Sequence, residues 1–275
     1  MSRAKSTVLV VGATGSIGRL VVAEALRQGH AVRALVRDAA RARGLPAVAE
    51  RVAGDLTQPQ TLTAAVAGID AVVFTHGSDG GGKAAAEQVD YGGVRNVLLA
   101  LDGRPVRIAL MTAIGVTNRA GAYNRATQSH DWKRRGERLV RASGLPYTIV
   151  RPGWFDLQAG DQQRLVLLQG DRRCAGKPSD GVVARRQIAE VLVRSLTSNA
   201  ACRKTFELVA ERGPATSDFD ALFAACDADA EGDAESAPDA VRDSVNMPLA
   251  DEPARVRDDL ARVTKTPQPS RTVAA

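Results

Sequence analysis

Thr7–Val11 reads TVLVV, runs directly into GATGSIG at 12–18, and is followed by a helical pattern that stops at Gly29. A continuous apolar run of this length fits a strand buried on both faces. A glycine at the end of the following helix supplies its stop. Between them, a turn without side chains brings backbone N–H groups and a helix N-terminus up to a pyrophosphate. Gly12 allows the turn, Gly15 the approach of phosphates and Gly18 close helix–sheet packing, with Thr14, Ser16 and Ile17 as the intervening contacts. No Gly-Lys-Ser/Thr follows, so the loop is not a Walker A loop. The unit predicts dinucleotide binding.

The rest of the chain alternates. Strands are expected at 31–36, 49–53, 71–74, 106–111 and 147–150. Helices are expected at 39–43, 61–66, 84–101 and 130–143. Parallel neighbours need such crossovers. The fold class is therefore α/β, a Rossmann-type doubly wound parallel sheet flanked by helices. After Trp154 the pattern changes to a short strand at 164–168, a helix at 185–196 and a strand at 205–209, too little for a separate domain. Residues 1–212 read as one nucleotide-binding domain, with a small substrate-side lobe from about 154. Residues 213–275 read as an acidic, partly flexible C-terminal extension, with helical stretches at 219–226 and 255–263, a low-complexity link at 225–238 and a disordered end from 267.

The exit of the second strand reports on cofactor type. NAD sites usually place an acid there for the ribose hydroxyls. This chain has Val36-Arg37, and a guanidinium suits the 2′-phosphate of NADP. NADP is the expected cofactor and NAD the less favoured one. Arg19 is a second phosphate candidate. Asp55, in Gly54-Asp55-Leu56, has two readings, contact to adenine or a helix cap. Thr75 and Gly77 leave the fourth strand beside the expected groove.

Charge is unevenly spread. Residues 227–275 hold eleven acids and six bases, a net of −5, so the other residues carry +11 of the overall +6. A basic body reads first as a solvated arginine-rich surface, with attraction of a phosphate-rich ligand or weak, non-specific nucleic-acid contact as the alternatives; no specific nucleic-acid recognition is expected. The acidic tail has three readings: it folds back on that body, reaches a neighbouring subunit, or stays loose. Cys174, Cys202 and Cys226 lack metal-ligand spacing, and no metal site is expected. No stretch approaches 18 apolar residues and no signal peptide is visible, so a soluble, cytoplasmic protein without membrane partners is expected. Monomer and homodimer both remain open.

These segments carry a resemblance. With GATGSIG at 12–18, ALVRD at 34–38, GDL at 54–56, YGGVRNVLLA at 91–100 and YTIVRPGW at 147–154, the chain is similar to atypical short-chain dehydrogenase/reductases. Among these it most resembles the NmrA-like and flavin/biliverdin-reductase-like group. The resemblance implies NAD(P) at the carboxyl edge of the sheet. Arg37 then matches the 2′-phosphate arginine, and Thr112 or Ala113 falls near the usual catalytic serine. Lys133 matches the lysine of Tyr-x-x-x-Lys, and Pro152 and Gly153 match the pair lining the nicotinamide.

The tyrosine position is Ser129. Serine has a higher pKa and shorter reach, which removes the usual proton donor. Tyr123 and His130 are the substitutes within the sequence; His130 alternatively caps its helix. Trp154 and Phe155 either stack on a flat acceptor or belong to the core. Three functions follow: an NADPH-dependent reductase of a small conjugated or aromatic acceptor, a non-catalytic NADP(H) sensor of NmrA-like type, or an epimerase or ketone reductase using NAD(P).

Overall fold

A computed structural model describes residues 6–78, 80–230 and 237–265. Among the described residues there are ten strands: β1 (Thr7–Val11), β2 (Ala31–Val36), β3 (Glu50–Ala53), β4 (Ala71–Phe74), β5 (Arg107–Met111), β6 (Tyr147–Pro152), β7 (Trp154–Phe155), β8 (Arg164–Leu168), β9 (Val182–Val183) and β10 (Lys204–Glu211). Eight form one sheet in the order β3-β2-β1-β4-β5-β6-β10-β8, and β7 pairs with β9. Neighbours in the large sheet are parallel except β8, which runs antiparallel to β10.

β1 shows why an unbroken apolar run was needed. Val8 and Val10 enter the core on one face of the sheet, Leu9 and Val11 the core on the other. Helices Ser16–Arg27 and Arg185–Ser195 cover the first face. Helices Gly92–Leu101 and Ser129–Ala142 cover the second. From β1 the chain winds outward to β2 and β3, then returns to β4 and proceeds to β5 and β6. That reversal opens a crevice at the carboxyl ends of β1 and β4, the usual place for a ligand in a sheet of this kind.

The expected helix at 84–101 is not uniform. It is α-helical over Gly82–Ala85, a π turn over Ala86–Tyr91, and α-helical again over Gly92–Leu101. A π turn inserts a residue into the helical register, and here Asp90 and Tyr91, adjacent in sequence, are both buried. Between β5 and helix Ser129–Ala142 the chain forms a short helix, Ala122–Thr127.

The C-terminal extension folds back on the body, the first of its three readings. Helix Ser129–Ala142 (SHDWKRRGERLVRA) has a polar composition, yet Arg134 and Glu137 are 0% exposed and Arg138 is 1% exposed. Acids of the extension meet these guanidiniums. Asp243 pairs with Arg134 and, at 2.9 Å, with Arg138; Glu252 accepts from Arg135 at 2.5 Å. Asp239 pairs with Arg151 of β6 at 2.5 Å. Helix Ala254–Lys265 adds Val256 and Val263 to the second core, and Asp259 pairs with Arg95 at 2.8 Å. Residues 231–236 of the link expected at 225–238, and the end expected to be disordered from 267, lie outside the described residues.

Candidate functional site

A groove of about 830 Å³ follows the carboxyl edge of the sheet from the glycine turn to the start of helix Ser129–Ala142. Its walls include Gly12, Thr14, Gly15, Ser16, Ile17, Arg19, Arg37, Asp55, Leu56, Thr75, Gly77, Thr112, Tyr123, Ser129, Lys133 and Phe155. Most residues expected to hold a cofactor thus lie along one surface.

The turn is built for close approach. Gly12 has φ +84°, and a Cβ there would stand 2.7 Å from the backbone nitrogen of His76. A Cβ on Gly18 would stand 2.0 Å from the carbonyl oxygen of Gly12. Gly18 is therefore a packing glycine, behind the groove rather than on it. Gly15 caps helix Ser16–Arg27 without any side-chain bond to its first N–H groups. Open N–H groups at a helix N-terminus suit an anion, so the cradle fits a dinucleotide's phosphates. Arg37 stands exposed at the exit of β2. Arg19 lines the same end, with Nε donating to the carbonyl of Thr14 at 3.0 Å. Asp55 lines the groove, and its carboxylate accepts from the N–H and hydroxyl of Thr57, both at 2.8 Å, in a local turn; the helix that follows begins at Pro59 with Gln58, not Asp55, as its cap residue.

At the other end the structure adds a residue that sequence reasoning missed. Asp90, carried in by the π turn, is 4% exposed. One of its carboxylate oxygens accepts from Lys133 Nζ at 2.8 Å and from the Ser78 N–H at 3.0 Å; the other accepts from Ser78 Oγ at 2.8 Å and Ser129 Oγ at 3.1 Å. Burial pushes this carboxyl up, but Lys133 and the Ser78 bonds outweigh it and hold Asp90 below the usual carboxylate range. A charged Asp90 thus fixes the position of Lys133 Nζ at the wall of the groove. The available signal was a lone acid on the buried side of an apolar helix, which requires a partner.

His76 accompanies this cluster, its Nε2 lying 3.0 Å from the carbonyl of Val89. Burial, aided by the charge of Lys133, lowers its pKa to about 4, so the ring is neutral at ordinary pH. Burial also lowers His130. His130 does not line the groove; its ring packs on Tyr123 with centroids 5.2 Å apart. Thr112 lines the groove, but its hydroxyl donates to Glu137 at 2.7 Å. It therefore presents lone pairs to the groove rather than a proton.

Three residues expected at the cofactor or the acceptor lie outside the lining of the groove. Pro152 and Gly153 do not line the groove: the Gly153 N–H is bonded to the Leu208 carbonyl at 2.9 Å, and a Cβ on it would stand 2.5 Å from the carbonyl oxygen of Gly181. That glycine serves the packing of β6 on the β9 segment. Trp154 is 41% exposed and also lies off the groove, whereas Phe155 lines it. Successive strand residues point to opposite faces, so only one of the two aromatic rings can face the groove. No group of three or more potential metal ligands occurs among the described residues.

Comparison with known proteins gives a consistent result. A family described as NAD(P)H-binding matches residues 12–199. A sanguinarine reductase of Eschscholzia californica is 29% identical over 265 residues, spanning 81% of this chain and 96% of that protein. An uncharacterized chloroplastic protein of Arabidopsis thaliana is 30% identical over 243 residues, spanning 79% of this chain and 74% of that one. An anaerobillin reductase from Escherichia coli O157:H7 shares the fold with a TM-score of 0.59 at 22% identity, covering 76% of this chain and 100% of that one.

The expected cytoplasmic location is corrected by the same relatives. Besides the Arabidopsis protein, a divinyl chlorophyllide a 8-vinyl-reductase of Zea mays (34% identical; 63% of this chain, 48% of that protein) is chloroplastic. So is the TIC 62 protein of Oryza sativa (31% identical; 74% of this chain, 46% of that protein). Folding physics is the same in either compartment, so an apolar core and a charged surface do not report location. Among the described residues, no helix is long and apolar enough to cross a membrane.

Proposed function

Because the chain belongs to this NAD(P)H-binding family, we propose that it is an NADPH-dependent reductase of a small conjugated or aromatic acceptor. The observation that carries this reading is the continuity of one groove from the glycine turn and Arg37 to Lys133 and Phe155. Gly12–Ile17 and the N-terminus of helix Ser16–Arg27 bind the pyrophosphate, and Arg37 and Arg19 receive the 2′-phosphate. Lys133, held by Asp90, donates to ribose hydroxyls. When bound, NADPH supplies the hydride.

The protein's share of the chemistry is orientation and exclusion of competing reactions. Phe155 offers a ring to a flat acceptor, and Thr112 and Tyr123 form the opposite wall. Ser129 is 2% exposed and bonded to Asp90, so it is not the proton donor. Solvent supplies the proton, which a conjugated acceptor tolerates because its reduced form is a stabilised anion. Two of the relatives are reductases by name, in keeping with this reading.

The test is NADPH oxidation followed with flavins and quinones as acceptors. Turnover with at least one, preserved in Ser129→Ala, is expected. NADPH binding without turnover on any acceptor refutes the reductase. A second reading, a non-catalytic NADP(H) sensor, is favoured by one observation: Thr112 and Ser129 both have their hydroxyls committed to carboxylates. It requires NADP⁺ and NADPH to bind with unequal affinity, which calorimetry measures directly.

A further inference from the structure

We infer that the C-terminal extension is part of the acceptor site, with Asn246 as a positioning residue for the wall that carries Thr112 and Tyr123. The inference rests on the reductase reading for its substrate, but its geometry stands independently.

The wall leaves β5 at Thr112, returns to the groove at Tyr123, and is anchored from two sides in between. From one side Asp171, 3% exposed, accepts from the N–H groups of Gly115 at 2.6 Å and Thr117 at 2.8 Å. From the other, Asn246 of the extension donates from Nδ2 to the Thr117 carbonyl at 2.8 Å. The Asn246 carbonyl accepts from Arg119 at 2.7 Å, and Arg119 also pairs with Asp131 at 3.1 Å. Asp131 in turn accepts from Asn124, next to Tyr123, at 2.9 Å.

A second connection reaches Thr112 itself. Its hydroxyl is oriented by Glu137, Glu137 pairs with Arg151 at 2.7 Å, and Arg151 is held by Asp239 of the extension. The extension therefore reaches both ends of the wall, yet lies beyond residues 12–199, where the family match falls. The acceptor side of the groove is completed by a part of the chain that the cofactor side does not need.

The experiment uses the full-length protein and two variants, Asn246→Ala and Arg119→Met. The Arg119 side chain is 39% exposed, so its replacement leaves the buried cores alone. Hydrogen exchange across 113–124 should quicken about five- to tenfold, the loss of one ordinary hydrogen bond, while exchange in 8–27 stays as in the wild type. KM for the acceptor should rise by a similar factor with the Kd for NADPH unchanged, a split that general destabilisation would not give. Unchanged exchange across 113–124 in both variants overturns the inference, whether or not the wild type turns over. Faster exchange in a protein that reduces no acceptor refutes the reductase reading and retains the anchoring. Faster exchange with acceptor KM unchanged removes Asn246 from the acceptor site.

Discussion

Replacing Asp243 with asparagine removes one negative charge from a place where three guanidiniums meet. Asp243 is 2% exposed; it pairs with Arg134, with Arg138 at 2.9 Å and with Arg141 at 3.7 Å, and those side chains are 0–1% exposed. An amide of the same shape keeps the packing and loses the charge. Arg134 then retains Asp239 at 3.5 Å, Arg138 retains Glu252 at 3.4 Å, and Arg141 retains Glu137 at 3.5 Å, all long contacts. Removing one partner from a buried ion pair costs about 3–5 kcal/mol, because the remaining charge is left uncompensated. At roughly 2 °C per kcal/mol for a chain of this size, the midpoint of thermal unfolding should fall by about 6–10 °C. Urea unfolding should show a lower midpoint at an unchanged slope. The exposed pair Arg164–Glu211, with side chains 54% and 41% exposed, is the control; Arg164→Ala should cost less than about 1 kcal/mol. Adding Arg138→Met to Asp243→Asn should recover part of the loss, as a coupled pair does in a double-mutant cycle. An Asp243→Asn protein as stable as the Arg164→Ala control would refute the claim that the extension is held by buried charge.

Other outcomes follow from the same structure. Burial, with the like charge of Asp171 and against the pull of Arg151, raises Glu207 to about 7 from an ordinary 4.5. The folded state then keeps a proton that the unfolded chain has lost, so this group's contribution to stability declines as pH rises from about 4.5 through 7. Glu207→Gln should flatten the dependence of the unfolding midpoint on pH between 5 and 8, by an effect on the order of 2–3 kcal/mol; parallel curves for the two proteins would count against it. Asp239 and Glu137, held low by Arg151 despite burial, are charged throughout that window and do not contribute to the slope. Gly18→Ala should abolish cofactor binding and lower stability, because its Cβ would stand 2.0 Å from a backbone oxygen; the roughly 1 kcal/mol of helix propensity gained by alanine does not offset that clash, and calorimetric binding of NADP checks it. Arg37→Glu should lower the affinity ratio of NADP to NAD at least tenfold, the effect of exchanging a charge-assisted phosphate contact for repulsion; an unchanged ratio removes Arg37 from the phosphate site.

The sheet and its glycine turn were legible because they depend on local rules. TVLVV had to be buried on both faces, GATGSIG had to turn without side chains, and Arg37 had to follow the second strand. The acceptor end was less legible. Lys133 was reached through its motif, but the Asp90 that holds it is 43 residues away and arrives through a π turn that no periodicity signals. Phe155 and Trp154 could not be told apart until β7 paired with β9 and fixed which ring faces the groove.

By itself, the sequence determined that a dinucleotide-type cradle forms at residues 12–18 and that the tyrosine expected at 129 is absent. It also recorded the charge imbalance between body and tail, but left the tail's destination open among three readings. Only tertiary structure decided that the acids at 239, 243 and 252 meet the arginines at 134, 135, 138 and 151. The reason is physical. A glycine turn is specified by the conformations of neighbouring residues, whereas a buried ion pair is specified by two charges, far apart in sequence, that can leave water only together.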